Sequence, residues 1–428
     1  MKAGFAEFDI TPPVGTDTIG WIKLIPSTEV LDPLYGRIAV FESPEGRAAR
    51  DRVAFIQLDV LCVDEVDVPI IRERIHDKYA FPGKNIMISA THNHAGPAVK
   101  KSGITPKDEE WTAEMIDRIV NGFGDALKNS QECEIGFNSI FEWRVAHNRR
   151  VVMRDGTVKT HGHFNDPDAL CYEGPVDPEV AIIAARGADG ELLGGIVNFS
   201  CHPTHHGGTG KLSGGFPAYT AQQMKERGCP VLLYLNGTCG NTHTANPAAG
   251  GGMPSMEEIG TIMADDIEAA LRDMIFDDDI ELGCASTEID LPYREVDDDE
   301  RKGTNFGAQR FVDPTLYDKF MPELVEQTRR DKTERIELQA LFLGNHVVVG
   351  VPAEYFVEYG LWIKRETHPY QTVIAGYTNG SIGYIPTMQA FDGGGYETTF
   401  GSGSKFAHEA GDIIADAVVE LVNEGRGE

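Results

Sequence analysis

Apolar and polar positions follow two rhythms along this chain. Runs rich in β-branched and aromatic residues at 3–10, 37–41, 53–60 and 85–90 predict strands. Residues 65–79 and 109–129 repeat apolar positions at helical spacing, with Met115, Ile119, Phe123 and Leu127 on one face. The middle repeats the alternation: strands at 180–185, 195–199 and 231–235, with a helix at 216–227. Ser255 and Glu258, behind Pro254, fit a capping box and predict a helix over 253–274. Residues 335–342 and 346–351 predict a hairpin about Gly344-Asn345, followed by a helix at 353–365, a strand at 371–376 and a final helix at 406–423.

Two stretches break the rhythm. Residues 288–317 are polar and weakly patterned and read as a surface excursion. Residues 376–404 form a glycine- and tyrosine-rich loop, and loops that long in a compact fold are often functional. With neither repeat nor linker, the alternation predicts one α/β domain over 1–428, built of layered mixed β-sheets flanked by helices.

Composition narrows the function. Hydrophobic residues at 41% and charged residues at 25% describe an ordinary globular protein, without the run of about 20 apolar residues that a membrane span needs. A net charge of −29 argues against nucleic acid or an anionic membrane as partner. Much of it lies in acidic runs at 277–279 and 297–300, which read as solvated loops; adaptation to a saline habitat is the other reading. The seven cysteines contain no CxxC, and the N-terminus has no apolar signal core, so a cytoplasmic protein with reduced thiols is expected. The expected partner is a small-molecule substrate, with no nucleic acid and no membrane anchor; homo-oligomerisation stays open.

The chemistry concentrates in histidines. Four places stand out: His92-Asn-His94, His161-Gly-His163, His202-Pro-Thr-His205-His206, and His243. Three of the four follow apolar strands, where ligand sites of α/β sheets collect. Two imidazoles on one side of a strand end make half a metal site, and zinc takes three or four ligands. Glu354, after the apolar run 346–351, is a candidate oxygen ligand; a first-turn glutamate favoured by a helix dipole is the alternative. There is no HExxH and no GxSxG, and Gly207-Gly-Thr-Gly-Lys211 lacks the flanking residues of a phosphate loop. Cys201 and Cys239 are alternative thiol nucleophiles.

Taken together these segments resemble, in order, the catalytic domain of the neutral/alkaline non-lysosomal ceramidase superfamily. Ala3-Gly-Phe-Ala-Glu-Phe-Asp-Ile-Thr-Pro-Pro13 resembles that family's opening. Ser89-Ala-Thr-His-Asn-His-Ala-Gly-Pro97 is similar to its most specific signature. Asn148-Arg149, His202-Pro-Thr204, Pro352-Ala-Glu354, Tyr384 and Tyr396-Glu397 are similar to its later motifs. The resemblance implies one zinc ion per chain held by His92, His202, Glu354 and Tyr384, with His94 carrying a proton and Arg149 and Tyr396 stabilising a developing oxyanion. It implies a zinc-dependent hydrolase of a C–N (amide) bond acting through zinc-activated water. Alternatives on the same scaffold are an esterase, lactonase or sugar-derivative hydrolase, or a non-catalytic ligand-binding module.

One departure redirects the substrate. Where the family has a substrate-contacting serine, Gly240-Asn-Thr-His-Thr244 places His243, which is therefore expected to contact substrate and serve as a further acid–base group. The chain also ends near the close of that family's catalytic domain, without the C-terminal sandwich domain. A soluble small molecule rather than ceramide is the expected substrate.

Overall fold

The structure, a computed structural model, describes residues 1–43 and 52–425. Its first sheet contains β1 (Lys2–Asp9), β2 (Tyr35–Glu42), β3 (Arg52–Leu58), β4 (Ile86–Ala90), β5 (Gln131–Phe141), β6 (Glu179–Gly187), β7 (Leu192–Phe199) and β8 (Leu232–Asn236). Their spatial order is β8-β7-β6-β5-β1-β2-β3-β4, and a short strand, Ile275–Asp277, pairs with β5. The second sheet runs β9 (Leu282–Pro292), β10 (Thr333–Leu343), β11 (His346–Gly350) and β12 (Gln371–Ala375) in chain order. Most neighbours are antiparallel. The exceptions are β3/β4, β7/β8 and β11/β12, which are parallel.

A parallel pair cannot be closed by a tight turn, so each carries a crossover helix. These are α1 (Asp67–Tyr79) between β3 and β4, α3 (Gly215–Glu226) between β7 and β8, and α6 (Val357–Glu366) between β11 and β12. The other long helices are α2 (Glu109–Lys128), α4 (Met256–Arg272), α5 (Pro314–Asp331) and α7 (Ala410–Glu424). Helices α1 and α2 cover one face of β2–β4 through Ile71, Ile119 and Phe123 against Ile38, Ile56 and Ile88. Helices α3 and α4 cover β6–β8, and α6 and α7 cover the second sheet. Residues of the opposite strand parity, among them Phe41, Phe55 and Leu233, meet Leu341 and Val348 between the sheets. Each such fully buried side chain contributes about 1.5–3 kcal/mol. This is the expected layered arrangement of mixed sheets flanked by helices.

Local signals explain most boundaries. The Ser255–Glu258 capping box is formed, and α4 begins at Met256. Helix α2 starts behind Asp108, whose carboxylate accepts from the Trp111 amide. The hairpin about Gly344-Asn345 joins β10 to β11 in register Leu343↔His346.

Three elements differ from the sequence reading. Residues 288–317 are an excursion only in their middle: Glu288–Pro292 complete β9, Pro314 opens α5, and 293–313 between them hold one short helix, Asp298–Lys302. Strand β9 alternates faces beside a single strand partner, so its outward positions are polar. Glu354 precedes α6 and pairs with Tyr384 in a two-residue parallel ladder instead of starting the helix. Among the described residues no helix is long and apolar enough to cross a membrane.

Candidate metal centre

All three parallel pairs direct their C-terminal ends at one place. His92 and His94 follow β4, His202 follows β7, His243 follows β8, Glu354 follows β11 and Tyr384 follows β12. Strand order alone puts β4 and β8 at opposite edges of the first sheet, but the sheet curls until those edges touch. The Asn236 side-chain amide donates to Thr91 O at 3.0 Å, and the Tyr234 amide to Gln57 Oε1 at 3.4 Å. Backbone bonds then join the two sheets. Ala90 N donates to Tyr377 O (3.1 Å), Gly376 N to Asn236 O (2.9 Å) and Gly240 N to Tyr355 O (2.9 Å).

Three imidazole nitrogens converge at the centre. His92 Nε2 lies 3.0 Å from His202 Nε2 and 3.1 Å from His94 Nε2, and the remaining pair is 3.2 Å apart. His92 Nδ1 lies 2.9 Å from Leu61 O, and His202 Nδ1 lies 3.3 Å from Cys239 O. Carbonyls at Nδ1 fix the tautomer with its proton there, so both Nε2 lone pairs face the common point, as in histidines that hold metals. Burial, then the other imidazoles and the Arg149 charge, hold His94 and His202 well below the usual histidine pKa. They are therefore neutral at pH 7. Glu354 Oε2 stands 3.3 Å from His92 Nε2 and 3.8 Å from His202 Nε2, buried and without a hydrogen-bond partner. Lone pairs crowded together with an orphaned carboxylate oxygen leave a deficit that a cation removes. The residues present therefore fit a metal ion. His92, His94 and His202 form the group of three potential ligands found among the described residues.

The backbone is shaped for this convergence. His92 has φ of +65° and Tyr377 has φ of +54°. Each such left-handed residue costs roughly 1–2 kcal/mol. The two rings stack on each other, centroids 3.9 Å apart, which ties the two strained residues together. His94 is packed between glycines: a Cβ on Gly20 (φ +109°) would lie 2.6 Å from His94 Nδ1, and one on Gly207 2.9 Å from His94 Cβ. His94 Nδ1 makes no hydrogen bond of standard geometry, unlike the Nδ1 atoms of His92 and His202; the Gly20 backbone beside it is a weak partner.

A charged lattice lies beside the imidazoles. Arg149 Nη2 donates to Gly240 O (2.8 Å) and to the Tyr384 hydroxyl (3.2 Å), while its Nε donates to Glu397 Oε1 (2.8 Å). Arg150, next in the chain, donates to Glu397 Oε2 at 2.7 Å and pairs with Glu173. Burial would raise the Glu397 pKa, but Arg149 and Arg150 outweigh it and hold the carboxyl down at about 2. Tyr396, half-buried, sits edge-on to Tyr384 at 5.7 Å, and burial raises its pKa so that it stays a donor.

His243 comes close but is engaged. Its Nδ1 accepts from Ala245 N (2.8 Å), which leaves the proton on Nε2, facing the Thr204 hydroxyl at 2.6 Å. The His161 ring stands edge-on to it at 4.8 Å. The structure thus brings together all eight residues given a site role from sequence. It also brings in three with no assigned role: Tyr377, His161 and Glu397. His161 stood in a conspicuous His-x-His, and Glu397 stood beside Tyr396. Tyr377 carried no signal, because its role depends on a strand pairing across two sheets.

The thiol alternative fails on burial. Cys201 and Cys239 are both fully buried. Burial pushes the Cys239 pKa up to about 12 and the Cys201 pKa well above its ordinary value, so neither supplies a thiolate near neutrality.

No protein-family model matches the chain. A 168-residue stretch, 37% of this chain, is 26% identical to the neutral ceramidase of Pseudomonas aeruginosa strain PAO1, and the match spans about a quarter (24%) of that relative's length. The crystal structure of neutral ceramidase from Pseudomonas aeruginosa superposes on the whole chain with a TM-score of 0.77 at 19% identity, covering 74% of that structure. A ceramidase complexed with C2 gives 0.76 at 17% identity, again over the whole chain and over 75% of that structure. The chain has the fold of neutral ceramidase.

Proposed function

We propose that this protein is a metal-dependent hydrolase of an amide bond in a small-molecule substrate, with one zinc ion per chain. The observation that carries the reading is the convergence of the His92, His94 and His202 Nε2 atoms on a buried Glu354 oxygen that has no other partner. The ceramidase fold and the partial sequence match support an amide as the bond. His92, His202, Glu354 and Tyr384 would hold the ion. When bound there, zinc supplies Lewis acidity toward a carbonyl and makes a water acidic enough to act as nucleophile near neutral pH.

The surrounding side chains do the rest. Arg149, fixed beside the Tyr384 hydroxyl, meets the negative charge that develops on the carbonyl oxygen; such preset electrostatics are usually the largest part of this kind of catalysis. Tyr396, kept protonated, is a second donor to that oxygen. His94, whose Nδ1 is held less firmly than those of His92 and His202, takes up and delivers the proton that the leaving amine requires. His243, with both ring nitrogens already engaged, forms part of the substrate wall and bars a ligand shaped for a serine there.

Metal analysis of the purified protein tests the reading. About one zinc per chain is expected, with His92→Ala and His202→Ala losing metal together with turnover of short N-acyl amides. Full zinc occupancy in both variants, or turnover that a chelator leaves untouched, would reject the site.

A further inference from the structure

Arg149 and Arg150 are consecutive, both are buried, and both reach the same buried carboxylate. Their other partners differ. Arg150 is also tied to Glu173, to Gly394 O (2.7 Å) and to Ala390 O (3.2 Å), so it belongs to the scaffold with or without Glu397. Arg149 has one carboxylate partner among the described residues, Glu397. The other bonds of its guanidinium among the described residues are to Gly240 O and to the Tyr384 hydroxyl. The Glu397 oxygens are divided accordingly: Oε1 takes Arg149 Nε, while Oε2 takes Arg150 Nη1 and the Thr160 hydroxyl (2.6 Å). Thr160 also accepts from the Tyr396 amide at 3.0 Å, so the same hydroxyl links Glu397 to the backbone of its neighbour. The pairs Arg149–Arg150 and Tyr396–Glu397 interlock. One member of each faces the reacting centre, and the other fixes it from behind.

We infer that Glu397 is the positioning residue for Arg149. It anchors the guanidinium through Nε and so directs the terminal nitrogens at Tyr384 and the reacting carbonyl. The inference rests on the amide-hydrolase reading above. A carboxylate between two adjacent guanidiniums has a second consequence: without it, two buried like charges face each other, and the less anchored Arg149 is the one that moves.

The test compares Glu397→Gln in two backgrounds, using zinc-loaded protein and a fluorogenic short N-acyl amide. In the wild-type background kcat should fall by about 10- to 100-fold with KM changed less than about threefold. In an Arg149→Gln background the same change should cost less than about twofold, because its target is gone. Equal losses in both backgrounds, or no loss in either, overturn the inference. If Glu397→Gln does not fold, Thr160→Val removes one of the bonds that hold Glu397, and its smaller loss should likewise vanish in the Arg149→Gln background. Crystals of wild type and of the folded variant decide the point without turnover: Arg149 should leave the Tyr384 hydroxyl, and an unmoved Arg149 refutes positioning. Wild type that hydrolyses no amide counts against the proposed function alone, since the position of Arg149 is read from the crystals.

Discussion

The two sheets bring different chemistry to one point, and they hold it differently. The first sheet supplies nitrogen: His92, His94 and His202, two of them with Nδ1 set against backbone carbonyls. The second supplies oxygen: Glu354 from the end of β11, with Tyr384 and Glu397 from the loop after β12. The nitrogen half is preset by main chain. Of the four ligands proposed above, Glu354 in the oxygen half is the one with an orphaned buried side-chain atom among the described residues, Oε2. A preset half gives geometry, and the half with the unmet charge gives affinity. The contrast predicts which change does most damage. Glu354→Gln keeps the shape and removes the charge, so zinc affinity should drop by more than the 10- to 100-fold typical of losing a ligand's supporting partner. Titration with a competing chelator measures it, and an affinity within about threefold of wild type would show that the imidazoles suffice.

The same contrast explains what could be read from sequence. The nitrogen half is local: His92, His94 and His202 each lie just past an apolar strand, so period and motif sufficed to find them. Glu354 was readable as an acid at a strand end, but its setting was not. It lies in a two-residue parallel ladder with Tyr384, and that pairing belongs to no local pattern. Tyr377 was invisible for the same reason. Helix α5 shows the opposite failure. Tyr317, Met321, Leu324 and Thr328 mark a helical stripe behind the Asp313 cap, but the unpatterned stretch 301–312 ahead of it hides the start. That helix packs on Phe400 and so backs the loop that carries Tyr384 and Tyr396.

The next test separates roles within the nitrogen half. His94 Nε2 is about as close to the other two imidazoles as they are to each other, yet its Nδ1 makes no well-formed bond of the kind that orients them, with only the Gly20 backbone near it. If His94 moves a proton and does not hold the ion, His94→Gln should keep about one zinc per chain while kcat falls by roughly 10²- to 10⁴-fold, the range for losing a general acid–base group. Elemental analysis beside steady-state kinetics reads both. Loss of zinc in step with activity would make His94 a third nitrogen ligand and shift the division between the sheets.

The smallest effect expected is on stability, and it assigns each half its own pH window. In the metal-free protein, burial first, then neighbouring imidazoles and Arg149, hold His94, His202 and His243 well below their ordinary value of 6.5. Below that value the unfolded chain takes up protons that the folded protein refuses, so stability falls as pH drops past 6.5. Glu397 behaves as a depressed acid: its ordinary value is 4.5 and its folded value about 2. Its contribution is complete above 4.5 and is lost only as pH falls from there toward about 2. Each proton bound by the unfolded chain alone steepens the decline by about 1.4 kcal/mol per pH unit. Urea midpoints of chelator-treated protein should therefore fall between about pH 7 and 5 in wild type and in Glu397→Gln alike, and fall less steeply in His243→Ala. The Glu397→Gln curve should lie below wild type by a constant amount in that window and converge on it under more acidic conditions, where wild type protonates the carboxylate that the variant lacks. A Glu397→Gln curve that flattens in the upper window would mean that the oxygen half, and not the imidazoles, sets the response to mild acid.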